Sequence, residues 1–447
     1  MSEGRAAAGR ILIKGGTVVT MDPAHGDLDR GDVLVENGRI AQVGADLEAP
    51  GAEVVDASGK LVIPGLIDTH LHMWQHPLAG LGADLWSDED YGIKVFPVRE
   101  RFTARDMYES TYTCAVEALS RGTTTVLNFC HNVLSEEHAE ESLRAHRALG
   151  QRVLFAYGML GHMDRLAAEH GSRLAHLDRI RGELAGDRDG LIRLGIGVTS
   201  LEYGGMELVR KEIEYGREHG LMMTIHQNPP GQILEMHQNG LLGADLVPVH
   251  ANVATDHELG LLGACGCCVS FTTEGEFGGG RSMGVIARAD RAGVRPTLGV
   301  DVPSAVAVDM FSQLRITLNI MRAVEAQVER EAGRWPLSRH PGSPLVSARR
   351  VLEYATVNAA RAVGLADEIG SITPGKQADL VLLNTGPFGI GVGDPANHIV
   401  LQSTAADVDT VLVAGRFQKR AGELIGVDME ALPRLFQGVR GRVLGVS

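Results

Sequence analysis

Ile63-Pro64-Gly65-Leu66-Ile67-Asp68-Thr69-His70-Leu71-His72 is an apolar run that closes on two histidines one residue apart. In a β-strand, side chains alternate faces with period two. His70 and His72 therefore point the same way, and their imidazoles can reach one ion. A parallel strand covered on both faces reads as near-continuous apolar sequence, and Leu61 to Ile67 does. Imidazole suits zinc, iron, nickel or copper. Taken alone, the pair also fits two satisfied histidines at a strand end, so the rest of the chain has to decide.

The chain has 447 residues, of which 44% are apolar and 22% charged. That is the composition of a globular protein, long enough for a large domain plus a smaller one. The net charge of −14 argues against nucleic acid or an anionic membrane as the main partner. No apolar run approaches the roughly 20 residues that span a bilayer, and Met1 to Gly16 lacks the pattern of a signal peptide. A cytoplasmic protein is expected. Cys114, Cys130, Cys265, Cys267 and Cys268 are odd in number and lie in apolar contexts, so a disulfide framework is not expected. Cys265, Cys267 and Cys268 lack zinc-knuckle spacing and read as small buried hydrophobes.

Residues 10–62 read as short strands. Gly15-Gly16 looks like hairpin punctuation between Ile11–Ile13 and Thr17–Thr20. Asn37-Gly38 is a strong two-residue hairpin signal. From Leu66 to about Val363 the pattern becomes strand and helix in alternation. Eight strands are expected: Leu61–Asp68, Thr123–Phe129, Arg152–Tyr157, Ile192–Val198, Met222–His226, Leu246–His250, Cys267–Phe271 and Arg295–Val300. Helices are expected at Ala104–Arg121, Glu137–Leu149, Gly205–Glu218, Ser282–Ala292 and Ser347–Val363. Such alternation implies βαβ units and a parallel sheet, and eight units are the size of a (β/α)8 barrel. A doubly wound sheet is the competitor, but no Gly-x-Gly-x-x-Gly opens a helix after a strand. After Thr373 short strands return, at Ala378–Leu383 and Val408–Val413. The expected fold is α/β, a TIM-like barrel over 65–373 with a small β-sandwich built from 1–64 and 374–447.

Barrel enzymes carry their chemistry at the C-terminal ends of strands. The first strand ends in His70-Leu71-His72, the second in Cys130-His131-Asn132, the fifth in His226, the sixth in His250 and the eighth in Asp301. A catalytic zinc-type site needs about three or four protein ligands and an open position, and His70, His72, His226 and Asp301 can supply them. His250 would stand beside the activated water, and Asp301 can also accept its proton. A bound ion lowers the pKa of water to roughly 7 and polarises a carbonyl or amidine, which suits hydrolysis. His76 and His257 lie in loop or helix contexts and are weaker candidates.

Pro-Gly-Leu-Ile-Asp-Thr-His-Leu-His, the two later histidines and Gly-Val-Asp together resemble the amidohydrolase superfamily, most of all its cytosine deaminase and triazine hydrolase branch. Gly370-Ser-Ile-Thr-Pro-Gly-Lys-Gln-Ala-Asp-Leu-Val resembles the segment where such barrels return to the sandwich, so the similarity spans essentially the whole chain. The resemblance implies a barrel hydrolase in which His70, His72, His226 and Asp301 bind one zinc or iron, zinc ahead of iron, and His250 contacts water or substrate. Binuclear relatives use a lysine after the fourth strand. Here that strand ends in Gly197-Val198-Thr199-Ser200, and Lys211 falls in a helix, so one divalent metal per chain is expected, with Glu202 a remote bridge. Many deaminases of the branch carry a glutamate three residues after the fifth-strand histidine as proton shuttle. This chain has Pro229. Glu274 and Glu276, just past the seventh strand, are the nearest substitutes.

Trp74, Gln75, Trp86, His131 and Asn132 are the candidate pocket residues. The expected activity is hydrolysis of a non-peptide C–N bond in a heterocyclic amine, amidine or cyclic amide by metal-activated water. Displacement of halide and a non-catalytic binding module are the alternatives. The expected partners are a small-molecule substrate and further copies of the chain, as a homodimer or higher homo-oligomer.

Overall fold

The computed structural model describes residues 9–84, 88–187, 190–281, 284–334, 346–390 and 393–445. Eight parallel strands follow one another in chain order: Leu66–Leu71, Thr123–Cys130, Arg152–Gly158, Ile192–Gly197, Met222–Gln227, Leu246–His250, Cys268–Phe271 and Arg295–Leu298. Each pairs with the next. The ring closes where Leu71 bridges Asp301. There the Asp301 N–H donates to the His70 carbonyl at 2.8 Å, and the His72 N–H donates to the Asp301 carbonyl at 2.8 Å. This is the (β/α)8 barrel. Its first three strands are buried at every residue, as a parallel sheet covered on both faces requires.

Among the described residues the second sheet has nine strands and draws on both ends of the chain. Lys60–Pro64 runs antiparallel to Leu380–Asn384, with Val62 opposite Leu382. Ile11, Val33, Ile40, Val62, Leu380 and Leu412 fill its separate core. Arg152, on the third barrel strand, ties the two sheets together. Its guanidinium donates to both oxygens of Asp379, at 2.7 and 3.0 Å, with both residues buried.

Several expectations need correction. The expected strand Leu61–Asp68 is two strands, Lys60–Pro64 in the outer sheet and Leu66–Leu71 in the barrel. Gly65 is the crossing point, where a Cβ would meet Thr124 Oγ1 at 2.1 Å. Two strands that continue one apolar run cannot be separated by hydropathy. Gly15-Gly16 is not a turn, because Ile11–Val18 passes straight through it. A register shift falls there, and Gly16 packs where a Cβ would press on Val62 and Ala57. Glycine inside a strand marks such a bulge or close approach. Asn37-Gly38 does form the hairpin, with φ of 53° and 80°, the pair of positive angles that a type I′ turn demands.

The expected helix Ser347–Val363 is two short ones, Ala348–Tyr354 and Val357–Ala362. Leu166–Leu184 and Ala431–Leu444 are helices with no expected counterpart. The first buries Arg173 and His176 beside Leu177 and Ile180, and the second buries only Val439 and Val443. Ala431–Leu444 does carry an apolar stripe, with Leu432, Leu435, Phe436, Val439 and Val443 at spacings of three and four, so its periodicity was there to be read. Ala431–Leu444 packs on Ala104–Ser120, where Arg442 reaches Asp106 at 2.7 Å and Glu109 at 2.5 Å. Among the described residues, no helix is long and apolar enough to cross a membrane. All five cysteines are free.

Candidate metal centre

Five side chains from four strand ends meet at the C-terminal mouth of the barrel. His70 Nε2 is 3.2 Å from Asp301 Oδ1, and His72 Nε2 is 3.4 Å from the same oxygen. His226 Nε2 is 3.4 Å from His72 Nε2. His250 Nε2 is 4.0 Å from Asp301 Oδ2. Ligand atoms of His70, His72 and Asp301 all lie within 4.8 Å of one another, as do those of His70, His226 and His250. The backbone is bent to allow this. His250 and Asp301 hold φ of 72° and 70°, left-handed conformations that non-glycine residues rarely adopt and that cluster at functional sites.

The donor set fits a cation. His70 Nδ1 is buried without a hydrogen-bond partner, a costly state for a polar group, and Nε2 faces the Asp301 carboxylate. His72 uses Nδ1 toward the Phe129 carbonyl at 2.9 Å, so Nε2 is left to face the cluster. The facing Nε2 atoms of His72 and His226 cannot both carry protons. Burial, then His70, lowers the His72 pKa to about 3. Burial also pushes His70 down, and burial with its neighbouring imidazoles pushes His226 well down. Neutral imidazoles are the ligating form. Burial alone would raise Asp301, but His250 and His70 hold it far below the usual carboxylate range. The site therefore gathers lone pairs and one negative charge. Among the described residues no lysine lines the cavity. Lys211 pairs with Glu207 on an exposed helix face at 2.8 Å. Glu202 lines the cavity and accepts from Gln232 at 2.8 Å, but it does not join the cluster.

His250 is oriented from behind. Its Nδ1 is 3.0 Å from Glu276 Oε1, which also accepts from the Thr272 N–H at 3.2 Å and the Thr272 hydroxyl at 3.0 Å. Burial lowers the His250 pKa, but Asp301 and Glu276 more than compensate and raise it. Glu276 does not line the cavity. Glu274 does, and burial with Asp309 nearby raises its pKa. The two glutamates thus hold different positions, which sequence could not distinguish.

The cavity is walled by Tyr91, Phe96, Phe129, His131, Leu160 and Tyr203. His131 is here as expected. Trp74 is not, because the 3₁₀ turn Met73–Leu78 carries it inward against Phe102 and His131. Asn132 is buried and exchanges hydrogen bonds with Arg99. Gln75 is buried one layer back, between Ser304 and Tyr91. Trp86 lies outside the described residues. His76 is bonded to Thr113 and Glu117, at 2.9 and 2.5 Å, away from the cluster, and His257 is exposed on a helix. Sequence reading missed Asp68 and Tyr91. Asp68 Oδ1 accepts from the N–H groups of His70 at 3.0 Å and Val300 at 3.3 Å, pinning the first strand to the eighth. Its place in the Asp-Thr-His run was the available signal.

Comparison with known proteins agrees with this geometry. The model of the amidohydrolase family matches residues 61–417. The chain is 28% identical to the 5'-deoxyadenosine deaminase of Methanothermobacter thermautotrophicus, over 97% of this chain and 99% of that one. Its fold is similar to that of an adenosine deaminase from Xanthomonas campestris with bound zinc, at a TM-score of 0.84 and 21% identity over 98% and 99% of the two chains. It is also similar to the atrazine chlorohydrolase of Arthrobacter aurescens complexed with zinc, at a TM-score of 0.79 and 20% identity over 96% and 100%. Family and donor set agree on a metal-dependent hydrolase of carbon–nitrogen bonds other than peptide bonds, and the chain belongs to the amidohydrolase family.

Proposed function

We propose that the protein is a mononuclear hydrolase that removes ammonia from an amino-substituted heterocycle, with aminopurine nucleosides as the first class to try. The observation that carries this reading is the convergence of His70, His72, His226 and Asp301 on one point at the barrel mouth. We assign those four residues as the ligands of one divalent ion, zinc ahead of iron. Such an ion, when bound, lowers the pKa of water and polarises the carbon under attack.

The chain's own groups then divide the work. Asp301 accepts the proton of the attacking water. His250, with Nδ1 committed to Glu276, presents Nε2 to the cavity and steadies the negative charge that develops. The amine must leave protonated. Pro229 has no proton to give, and Glu274, lining the cavity with a raised pKa, is the group we assign to that transfer. His131 walls the substrate. Relatives that deaminate 5'-deoxyadenosine support the purine class. A homo-oligomer, a cytoplasmic setting and a division of the chain at 64/65 and 373/374 belong to the same proposal.

A screen of zinc-loaded protein against 5'-deoxyadenosine, adenosine, S-adenosylhomocysteine and aminotriazines, with ammonia detection, tests it. Ammonia release from one of these supports the reading, and none from any of them removes it. Displacement of halide is the second reading, favoured by Pro229 because halide leaves without a proton. Chloride release from a chlorotriazine, without ammonia, would select it.

A further inference from the structure

Tyr91, on the helix Asp88–Lys94, lines the cavity and has a hydroxyl whose hydrogen bonds can be counted. Gln75 Nε2 donates to Tyr91 Oη at 2.5 Å. The orientation of that amide is set one layer back. Ser304 is fully buried, and its hydroxyl donates to Gln75 Oε1 at 2.7 Å. Turning the amide over would make the Ser304 oxygen an acceptor for the Gln75 NH₂ and take from the Ser304 proton the Oε1 it now donates to.

The second bond comes from His131. His72 Nδ1 faces the Phe129 carbonyl at 2.9 Å. A carbonyl only accepts, so His72 Nδ1 carries the hydrogen. His131 Nδ1 lies 2.8 Å from that same nitrogen, and two N–H groups cannot face each other. His131 Nδ1 is therefore bare, and its hydrogen sits on Nε2, which points at Tyr91 Oη from 3.5 Å. Gln75 thus engages one lone pair of the Tyr91 oxygen, and the His131 Nε2 hydrogen faces the other from 3.5 Å. Burial keeps the phenol protonated by raising its pKa. Among the described residues no acceptor takes its own hydrogen, which is left for the cavity.

We propose that the Tyr91 O–H is a fixed hydrogen-bond donor to the substrate, and that it selects heterocycles presenting an unprotonated ring nitrogen on the side facing His131. The Ser304–Gln75–Tyr91 chain holds the donor in that sense. This rests on the aminoheterocycle reading above and adds to it the edge by which the ring is held. A site built around a committed donor rejects analogues that lack the acceptor, because the donor is then buried unpaired.

The test compares kcat/KM of the zinc-loaded enzyme for 5'-deoxyadenosine and its 3-deaza and 7-deaza analogues, in wild type, Tyr91→Phe and Ser304→Ala. In wild type, one analogue is expected to lose roughly 10- to 100-fold, the cost of one buried donor left unpaired. In Tyr91→Phe the parent loses about the same factor, and the gap between parent and that analogue closes. Ser304→Ala frees Gln75 to turn over and accept the Tyr91 hydrogen, so it too narrows the gap while Tyr91 stays in place. Zinc content is expected to be unchanged in both. If Tyr91→Phe slows parent and both analogues equally, or if Ser304→Ala keeps the full gap, the proposal is wrong while ammonia release leaves the deaminase reading standing. If wild type turns over none of the three compounds, the purine reading and this proposal fall together.

Discussion

His250 and Glu276 form a buried pair, with Nδ1 and Oε1 3.0 Å apart and each residue less than 5% exposed. The carboxylate fixes the tautomer and direction of the ring, and Nε2 is the nitrogen left for the cavity. Second-layer carboxylates of this kind tune an active-site imidazole without touching substrate. Glu276→Gln is expected to cut kcat by roughly 10- to 100-fold, with metal content unchanged. Steady-state kinetics beside elemental analysis check this. Equal loss of metal and activity would mean that Glu276 holds the whole centre together.

Glu274→Gln removes a titrating group from the cavity and keeps the Gln313 contact within reach. The Glu274 N–H donates to Gln313 Oε1 at 3.1 Å, and Gln313 Nε2 donates to Glu274 Oε2 at 3.3 Å. A general acid is worth roughly 10²- to 10⁴-fold, so kcat should fall within that range. Activity within twofold of wild type would release Glu274 from the role.

Glu212 provides a pH signature away from the cluster of His70, His72, His226, His250 and Asp301. It is buried, and its oxygens accept from the N–H and hydroxyl of Thr199 at 2.7 and 2.9 Å. Burial raises its pKa from 4.5 to about 7. The folded state therefore holds a proton that the unfolded chain releases. That contribution is fully present below pH 4.5 and is lost as pH rises through about 7. Glu212→Gln should flatten this part of the stability profile and gain roughly 1–3 kcal/mol over wild type above pH 7. Denaturant melts between pH 5 and 8 test it, and parallel profiles for the two proteins would refute it.

Arg152 and Asp379 join the barrel to the outer sheet with both side chains out of water. Removing one partner from such a pair leaves a bare buried charge and costs about 3–5 kcal/mol. Asp379→Ala should lower thermal stability markedly, and Arg152→Met with Asp379→Leu should recover part of the loss. Calorimetry of the three proteins decides, and a double variant worse than the single would contradict this view of the pair.

The barrel and the five-residue cluster were legible because both are periodic. Apolar strands recur between helices, and His70, His72, His226, His250 and Asp301 each sit at or near a strand's end. The pocket wall was not legible in the same way. Trp74 follows His72 by two residues, yet a 3₁₀ turn rotates it into the core. Tyr91 lies 16 residues from Gln75 and 40 from His131, and only the folded chain brings the three together. Glu274 and Glu276 look alike in sequence, and the helix Thr273–Gly278 sends one to the cavity and the other to His250. Gly65 hid the boundary between two sheets inside one apolar run.

We propose one divalent ion held jointly by residues from the first, fifth and eighth strands. Elemental analysis of the purified protein beside His70→Ala and His226→Ala tests it most directly. About one zinc or iron per chain in wild type, lost in both variants while the fold persists by circular dichroism, is the predicted result. No bound metal in wild type, or full metal content in either variant, would contradict the account.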